Sequence, residues 1–360
     1  MLQNTHLHTD NSHKIGILIP AYNEEVVIEG TIESLILAGC PKCDIYVVDD
    51  KSTDKTSEIA RSTGVNVYTL DVNGGKAVAQ RKAIQYFLLL QRYNWLVFMD
   101  GDTKVDKNFL NAFKDAIRED STVGMFLGQV KSVKNDHIYS ASRAFDYTYG
   151  QDIAKQGQSN FNVVFVGPGC ASMYNCEVLS KLEIDHMTLA EDMDLTIQVH
   201  RSGNKVKYVS SAIVNTQDPS TLKDYHKQIL RWYRGFWQVV KKHGVLSFRK
   251  KQGVDLYMIL LILDALIFNR VLWLAILAIT MPAILPTLFL FDFGLCALIA
   301  VYAAFRTKRT DVVYKLPVYY WLSYLNFYAF ARTFVEIILL KKVLLSWNKV
   351  KRYGFNSQHT

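Results

Sequence analysis

The segment Leu96-Val-Phe-Met-Asp100-Gly-Asp102-Thr103 decides the fold, because an apolar run of strand type ends in two carboxylates that are one residue apart. Side chains two residues apart in a strand point to the same side, so Asp100 and Asp102 are expected to converge on one object. Two hard oxygen donors suit Mg²⁺ or Mn²⁺, which carboxylates commonly hold together with substrate phosphates. A polar turn after a buried strand is the alternative interpretation.

The residues around this segment alternate between strand and helix patterns. Short β-branched or apolar runs predict strands at residues 15–19, 44–48, 66–70 and 95–99. Amphipathic or turn-bounded segments predict helices at residues 26–37, 53–63 and 77–90. This order predicts an α/β domain with a mostly parallel sheet and helices on both faces.

Polar clusters follow each predicted strand or open the next helix. They are Asn23 to Glu25, Asp49-Asp50, Gly74 to Lys76, and Asp100 to Asp102. Ligands of open α/β sheets bind beyond the carboxyl ends of the strands. The shared location therefore predicts one ligand site at that edge of the sheet.

Two of these clusters suit a nucleotide. Gly74-Gly75-Lys76 could hold phosphate at a helix N-terminus. Walker A and G-x-G-x-x-G spacings are both absent there, so neither ATP hydrolysis nor a dinucleotide is supported. Asp49 or Asp50 could bind a base or ribose, although residues such as Ser52, Thr53 and Asp54 also serve as ordinary helix caps.

An acidic group, Glu191-Asp192-Met-Asp194, begins a predicted helix. Acidic side chains at a helix N-terminus stabilise the helix dipole, which is the structural interpretation. Crowded carboxylates also raise one pKa towards neutrality, which a general base requires. The group is therefore a candidate catalytic base.

Gln228, Arg231 and Trp232 fall on one face of a predicted helix just before the apolar part of the chain. Arg, Trp and Tyr side chains are typical of a helix in the headgroup layer of a membrane. A helix lying on the membrane could also close a site above it, so both interpretations are compatible.

The C-terminal part reads as a membrane region. Two spans are predicted at residues 256–280 and 283–305, and residues 316–340 read as an interfacial or re-entrant helix rather than a third span. The basic loop at 306–309 and the basic tail from 341 to 352 predict a cytosolic location for the catalytic part. The chain is therefore expected in the cell (inner) membrane, multi-pass.

The charge and the cysteine content of the chain limit the classes of partner and metal site that are expected. The formal net charge is +8, which suits an anionic lipid surface or an anionic substrate. No basic stripe with interleaved aromatic residues is present, so nucleic acid is not an expected partner. Five cysteines suit a reducing cytosol, and Cys40-x-x-Cys43 lacks the second pair that a zinc site needs.

Taken in order, these motifs resemble the family 2 inverting glycosyltransferases. The similarity runs from about Ile15 to Gly235. It is greatest to the membrane-embedded processive branch, which includes cellulose, hyaluronan and poly-N-acetylglucosamine synthases, because Gln228-x-x-Arg231-Trp232 marks that branch. The basic ending Trp347 to Gly354 is also similar to bacterial members.

The resemblance implies a GT-A fold, a UDP-sugar donor and a role for each motif. The uridine would be held by Pro20, Ala21, Asn23, Glu25, Asp49 and Asp50. The diphosphate and its Mg²⁺ or Mn²⁺ would be held by Lys76, Asp100 and Asp102. Asp192, beside Glu191, would take the proton from the attacking hydroxyl. The leaving diphosphate and the acceptor sugar would lie beside Gln228, Arg231 and Trp232.

The expected organisation has five parts. They are a flexible tail (1–12), a GT-A catalytic domain (13–215), interfacial helices (216–252), two transmembrane helices (253–306) and a last membrane or interfacial helix with a basic tail (307–360). Two or three helices are few for a polymer channel. A homo-oligomer or a channel partner is one explanation, and a product that is not a secreted polymer is another.

Three functions remain open from the sequence. The first is lengthening of a polysaccharide from UDP-N-acetylglucosamine or UDP-glucose. The second is transfer of one sugar to a lipid acceptor such as polyprenyl phosphate or diacylglycerol. The third is a non-catalytic membrane scaffold, against which the intact Asp102, Asp192 and Arg231 argue.

Overall fold

The computed structural model describes residues 14–133, 138–184, 187–247, 250–267 and 269–342. The predicted N-terminal tail and the basic ending Trp347 to Gly354 lie outside the described residues.

An eight-stranded mixed sheet forms the centre of the N-terminal part. Its strands are β1 (Ile15–Ala21), β2 (Ile45–Asp49), β3 (Asn66–Thr69), β4 (Trp95–Phe98), β5 (Thr103–Val105), β6 (Met125–Ser132), β7 (Ser172–Asn175) and β8 (Val206–Thr216). Their spatial order is β3-β2-β1-β4-β7-β6-β8-β5. All four strands predicted from the sequence are present.

The prediction of a mostly parallel sheet holds for one half only. Strands β1 to β4 pair in parallel. Strand β7 then runs antiparallel to both β4 and β6, and β5 runs antiparallel to β8. The second half is mixed because β7 and β5 enter the sheet from loops at the site rather than through a right-handed helical crossover.

Helices cover the sheet on both faces. Those of the N-terminal part are α1 (Ile28–Leu37), α2 (Thr56–Ser62), α3 (Lys76–Tyr86), α4 (Leu89–Arg92), α5 (Phe109–Glu119), α6 (Ile138–Tyr147), α7 (Gln156–Asn160), α8 (Cys176–Leu179) and α9 (Glu191–Arg201). A 3₁₀ turn (Lys42–Asp44) precedes β2, and a π-helical segment (Thr148–Lys155) joins α6 to α7.

The core lies on both sides of the sheet. In β1, Ile17 and Ile19 pack with α1 and α5 on one face, whereas Leu18 packs with α3 and α9 on the other. All three side chains are fully buried. This explains the uninterrupted apolar runs in the sequence, because strands covered on both faces do not alternate with polar residues.

The C-terminal part is helical. Its helices are α10 (Leu222–Lys242), α11 (Gly253–Leu266), α12 (Arg270–Thr280), α13 (Leu285–Thr307), α14 (Asp311–Tyr314) and α15 (Leu316–Phe334), followed by a π-helical turn (Val335–Leu339). Among the described residues, α13 is the one helix long and apolar enough to cross a membrane. Its 23 residues extend about 34 Å, against a hydrocarbon core of about 30 Å.

The predicted first span, residues 256–280, is not one helix. Helix α11 ends at Leu266 and α12 begins at Arg270. Each piece is 14 or 11 residues long, too short to span a bilayer alone, since about 20 residues are needed. The apolar content of this stretch predicts a membrane location but does not indicate where a helix ends.

Helix α15 is fastened to α10. The indole of Trp237 is fully buried and donates a 3.3 Å hydrogen bond to the Phe330 carbonyl. The Glu336 carboxylate accepts from Arg234 and from Arg332, each at 2.9 Å. The end of the chain is thereby tied to the helix that carries the Gln228, Arg231 and Trp232 side chains.

Replacing Trp237 by alanine tests this packing. Truncation of a fully buried tryptophan is expected to lower the free energy of unfolding by about 3–5 kcal/mol, measured by urea denaturation in a neutral detergent. Trp321→Ala is the matched control, because that side chain is 52% exposed and its loss should cost under about 1 kcal/mol. Equal losses in the two variants would show that the contact between α10 and α15 does not stabilise the fold.

Candidate active site

A single cavity of about 990 Å³ lies between the sheet edge and the C-terminal helices. Eight of the residues predicted for the site line it: Lys76, Asp100, Asp102, Glu191, Asp192, Gln228, Arg231 and Trp232. The predicted uridine-binding residues form the adjoining loops instead of this lining. The structure thus brings together residues that are up to 156 positions apart in the sequence.

A lysine joins two of the acidic segments. The Lys76 ammonium, at the start of α3, lies 2.6 Å from Asp100 Oδ1 and 3.0 Å from Glu191 Oε1. Although burial opposes its charge, the carboxylates of Asp100, Glu191 and Asp192 raise the pKa of Lys76 well above its usual value. The cation therefore stays charged and balances the carboxylates around it.

The turn Gly167 to Cys170 brings the backbone close to this pair. A Cβ atom added at Gly169 would lie 2.7 Å from Lys76 Nζ and 3.4 Å from Asp192 Oδ2. Any side chain at position 169 would therefore push the lysine out of its place. This turn is a wall of the cavity.

Asp192 has the protonation behaviour of a general base. It is half-buried at the start of α9, and its Oδ1 accepts a 2.8 Å hydrogen bond from the Met193 backbone. Burial and the neighbouring Glu191 together raise the pKa of Asp192 to about 6, although Lys76 and Arg231 act in the opposite direction. A carboxylate with such a pKa is ionised at neutral pH and still basic enough to accept a proton.

The two carboxylates after β4 suit a metal cation whose remaining ligands come from the substrate. Asp102 is 2% exposed and lines the cavity beside Asp100. The Lys76 ammonium, held by two carboxylates, shows that the electrostatics of this corner favour a cation. Among the described residues, no group of three or more His, Cys, Asp or Glu side chains is arranged to hold a metal. A divalent ion would therefore need diphosphate oxygens as further ligands, as Mg²⁺ commonly has.

Asp49 and Asp50 shape the loops beside the cavity. The Asp50 carboxylate accepts hydrogen bonds from the Gly74 and Gly75 backbone N–H groups at 2.8 and 2.7 Å. Asp49 Oδ1 accepts from the Ser52 backbone at 3.1 Å. Gly75 has a φ of 83°, a conformation that favours glycine. Asp50 thus holds the turn that presents Lys76, and Asp49 holds the loop after β2.

The loop from Pro20 to Glu25 is interlocked with the loop after β2. Asn23, whose φ is 52°, receives the Thr53 N–H on its side-chain oxygen at 2.8 Å and donates its own N–H to Ser52 Oγ at 2.9 Å. Glu25 Oε2 accepts from the Lys55 N–H at 3.1 Å. Pro20 and Ala21 are buried at the end of β1. These contacts fix a rigid wall next to the cavity.

Arg143 is a site residue that the sequence did not reveal. Its guanidinium donates a 2.6 Å hydrogen bond to Gln228 Oε1 and lies 4.6 Å from the Trp232 ring centroid and 4.5 Å from that of Tyr225. The side chain is almost completely buried in α6. It therefore fixes two of the three residues of the Gln228-x-x-Arg231-Trp232 element through charge-assisted and cation–π contacts.

Helices of the C-terminal part also line the cavity, which the sequence did not predict. Polar side chains from these helices and from the break between them take part, among them Asp264, Asn269, Asp292 and Asn326. Polar groups in apolar helices are expected to face protein or water rather than lipid. The cavity is thus shared between the sheet edge and the apolar helices.

Comparison with known proteins identifies relatives of this chain. The family described as "Glycosyltransferase like family 2" matches residues 13–235, more than half of the chain. The probable glycosyltransferase YdaM of Bacillus subtilis is 24% identical over 377 residues, covering 95% of this chain and 87% of YdaM.

Two further relatives have named sugars. The N-acetylglucosaminyltransferase of Azorhizobium caulinodans is 27% identical over 68% of this chain and 64% of its own length. The poly-β-1,6-N-acetyl-D-glucosamine synthase of Staphylococcus aureus is 23% identical over 71% and 62%. The chain therefore spans less than two thirds of the length of these two relatives.

Solved structures show the same fold. The mannosyltransferase PcManGT of Pyrobaculum calidifontis, solved with GDP-Man and Mn²⁺, is 18% identical, covers 85% of this chain and 86% of its own, and has a TM-score of 0.57. S. aureus TarS 1–349, solved with UDP-GlcNAc, is 17% identical with coverages of 85% and 91% and a TM-score of 0.50. The mixed α/β domain is therefore GT-A-like, and the chain belongs to glycosyltransferase family 2 and is a glycosyltransferase.

Proposed function

We propose that this glycosyltransferase moves a sugar from a UDP-sugar, with inversion, to an acceptor hydroxyl in the cavity described above. The observation that supports it most is the gathering of Lys76, Asp102, Asp192 and Arg231 around one cavity. A donor with a negatively charged leaving group and an acceptor that must lose a proton need these groups together.

In the proposed reaction the acceptor oxygen attacks the anomeric carbon while the bond from that carbon to UDP breaks. Asp192 accepts the hydroxyl proton, and Glu191 beside it supports the raised pKa that this role needs. A single displacement needs one base and a good leaving group, and it inverts the anomeric centre. Positioning of the two substrates in the cavity supplies much of the remaining rate enhancement.

The leaving diphosphate is the second requirement. Asp102, with Asp100, would hold Mg²⁺ or Mn²⁺, which when bound neutralises charge on the diphosphate. Lys76 and Arg231 line the same cavity and would carry the rest of the developing negative charge. Lys76 would exchange its bond to Asp100 for one to a phosphate oxygen.

The uridine is assigned to the interlocked loops beside Lys76. Their residues are Pro20, Ala21, Asn23, Glu25, Asp49 and Asp50, and Asp100 lies at the diphosphate side of the same nucleotide. Because Asp50 holds Gly74 and Gly75, we propose that Asp49 and Asp50 act mainly by shaping the pocket. Gln228 and Trp232, fixed by Arg143, would form the acceptor side.

A growing polysaccharide is the first candidate acceptor. The relatives include a poly-β-1,6-N-acetyl-D-glucosamine synthase and an N-acetylglucosaminyltransferase, which favours UDP-N-acetylglucosamine over UDP-glucose as the donor. Secretion of a polymer would then call for a homo-oligomer or a channel partner, since α13 is the one described helix of spanning length.

A lipid is the second candidate, and the cavity favours it. Leu261 on α11, Leu295 and Ile299 on α13, and Phe327 on α15 line the cavity together with the catalytic carboxylates. An acceptor with an apolar tail, such as polyprenyl phosphate or diacylglycerol, could reach the base from this side. The third possibility is a non-catalytic scaffold. Such a protein would not need the raised pKa of Asp192.

Membrane attachment completes the proposal. Large apolar side chains are exposed along the helices from α11 to α13, among them Leu260, Ile279, Leu290 and Phe305. We propose that residues 13–215 form a cytosolic catalytic domain on the inner membrane, residues 216–252 lie at its interface, and residues 253–306 enter it. The remaining residues, 307–360, would return along the interface.

Asp192→Asn is expected to lower kcat by on the order of 10²–10⁴, because asparagine cannot accept the proton. Donor binding should persist, since the uridine and diphosphate contacts are elsewhere. Purified protein in detergent would be offered UDP-glucose, UDP-N-acetylglucosamine and UDP-galactose with Mn²⁺, and UDP release and product size measured. The control is Asp115→Asn, a 63% exposed side chain on α5. Unchanged turnover in Asp192→Asn would remove Asp192 as the base.

The pH dependence tests the same group differently. A base works only when deprotonated, so with a pKa of about 6 for Asp192 kcat should be constant above that pH and fall about tenfold per unit below it. The residual activity of Asp192→Asn should lack this acidic limb. A wild-type profile that stays flat as the pH falls through 6 would contradict the assignment.

Chelation tests the metal. Treatment with EDTA should abolish UDP release, and Mn²⁺ or Mg²⁺ should restore it. Asp102→Asn should lower activity by at least about a hundredfold and weaken binding of Mn²⁺ in the presence of UDP, measured by electron paramagnetic resonance. Asp106→Asn, on the exposed surface, serves as the control. Full activity in EDTA would exclude a metal-dependent mechanism.

A further inference from the structure

Lys155 is a buried cation in the active-site cavity to which the proposed reaction assigns no role. It ends the π-helical segment Thr148–Lys155 and lines the cavity together with Asp192. The residue is 5% exposed, so its ammonium is shielded from bulk water on nearly all sides.

The ammonium of Lys155 differs from the other lysine of the cavity in its partners. Lys76 pairs with Asp100 and Glu191. Among the side chains that the structure describes, which do not include those of residues 151 and 152, Lys155 makes no ion pair and no side-chain hydrogen bond. Burial outweighs the opposing charge of Asp192, so that the pKa of Lys155 is lowered to about 8. A buried ammonium without a direct partner is costly, and an anion bound in the cavity would relieve that cost.

The neighbours of Lys155 indicate that this anion belongs to the acceptor substrate and not to the sugar donor. The donor diphosphate is assigned to Lys76, which is bonded to Asp100 at the end of β4. Lys155 instead lines the cavity together with Asp192, whose charge influences the pKa of Lys155. In the proposed reaction, Asp192 is the group that contacts the acceptor hydroxyl. An anion near Lys155 therefore lies close to the attacking hydroxyl.

The surroundings of this segment favour an acceptor with an apolar tail. The segment Thr148–Lys155 packs against α13. Leu295 and Ile299 of α13 line the cavity, whereas Leu290 and Leu298 of the same helix are exposed. Helix α13 thus connects an apolar outer surface to the wall of the cavity. Such a wall suits acyl or prenyl chains better than a chain of sugars.

Acidic side chains limit where the anion can lie. Asp264 and Asp292 also line the cavity, on α11 and α13. Their carboxylates disfavour an anionic group beside these helices, whereas Lys155 supplies a cation that offsets the nearby Asp192 carboxylate. Charge complementarity therefore points to one phosphate, held at the inner end of an apolar chain.

We propose that Lys155 binds the phosphate of a lipid headgroup whose hydroxyl is the acceptor. This rests on the proposed function and keeps its lipid class of acceptor, but it names a phospholipid with a free headgroup hydroxyl rather than polyprenyl phosphate or diacylglycerol. The headgroup hydroxyl oxygen forms the new bond to the anomeric carbon, the bond to UDP breaks, Asp192 takes the proton, and the phosphate is unchanged. Lys155 is a binding residue that sets acceptor specificity.

Native mass spectrometry of the full chain in neutral detergent tests this with three probes. They are dioleoylphosphatidylglycerol (phosphate and hydroxyl), dioleoylglycerol (hydroxyl without phosphate) and water-soluble glycerol 3-phosphate. The wild type, Lys155→Arg and the exposed-site control Lys107→Met should bind the phospholipid at least about tenfold more tightly than the neutral lipid. Lys155→Met should bind both lipids alike.

Three results would overturn the proposal. One is a wild type without preference for the phospholipid, and another is a Lys155→Met variant that keeps the preference. The third is glycerol 3-phosphate binding as tightly as the phospholipid, which would show an anion site with no use for a lipid tail. UDP binding is measured on the same preparations and tests the proposed function separately. Loss of UDP binding by the wild type would contradict the proposed UDP-sugar donor and not the role of Lys155.

Discussion

The ion-pair arrangement around Lys76 is the interaction on which the active site depends. One ammonium joins the carboxylate that follows β4 to the carboxylate that begins α9, at 2.6 and 3.0 Å. Without a cation, Asp100, Glu191 and Asp192 would repel one another in a partly buried corner. The loop that presents the lysine is in turn held by the carboxylate of Asp50. Charge balance therefore shapes the cavity before any substrate enters, and the same balance makes the corner suitable for a diphosphate with its metal ion.

The second constraint is that the charged corner around Lys76 is joined to the apolar helices of the C-terminal part. Arg143 fixes Gln228 and Trp232 on α10, and α10 is tied to α15 through Trp237 and Glu336. The acceptor side of the cavity is thus built on helices whose outer surfaces are apolar. This arrangement explains how a catalytic domain of GT-A-like fold could act on an acceptor at a membrane, and it gives the buried Lys155 a place in acceptor recognition.

Much of the fold and the charged corner of the cavity could be predicted from the sequence, for physical reasons that also explain the failures. Strands β1 to β4 are buried on both faces and end in polar clusters, so local composition marks them. The pairing of β6 with β8 and β7 depends on contacts between distant segments, which no local pattern encodes. Arg143 and Lys155 were missed for the same reason, because their importance comes from Gln228 and Asp192 and not from their own neighbours in sequence. The break between α11 and α12 could not be predicted, because the apolar content of a segment does not indicate where a helix ends.

The most direct test of the central claim is an electron cryomicroscopy structure of the full chain with a UDP-sugar and Mn²⁺. We expect the diphosphate at the start of α3 and the cation beside the Asp102 carboxylate. The Lys76 ammonium should have moved from Asp100 to a phosphate oxygen, and the anomeric carbon should face Asp192. A nucleotide bound away from the cavity, or bound there with the Lys76–Asp100 pair intact and no cation near Asp102, would contradict the account.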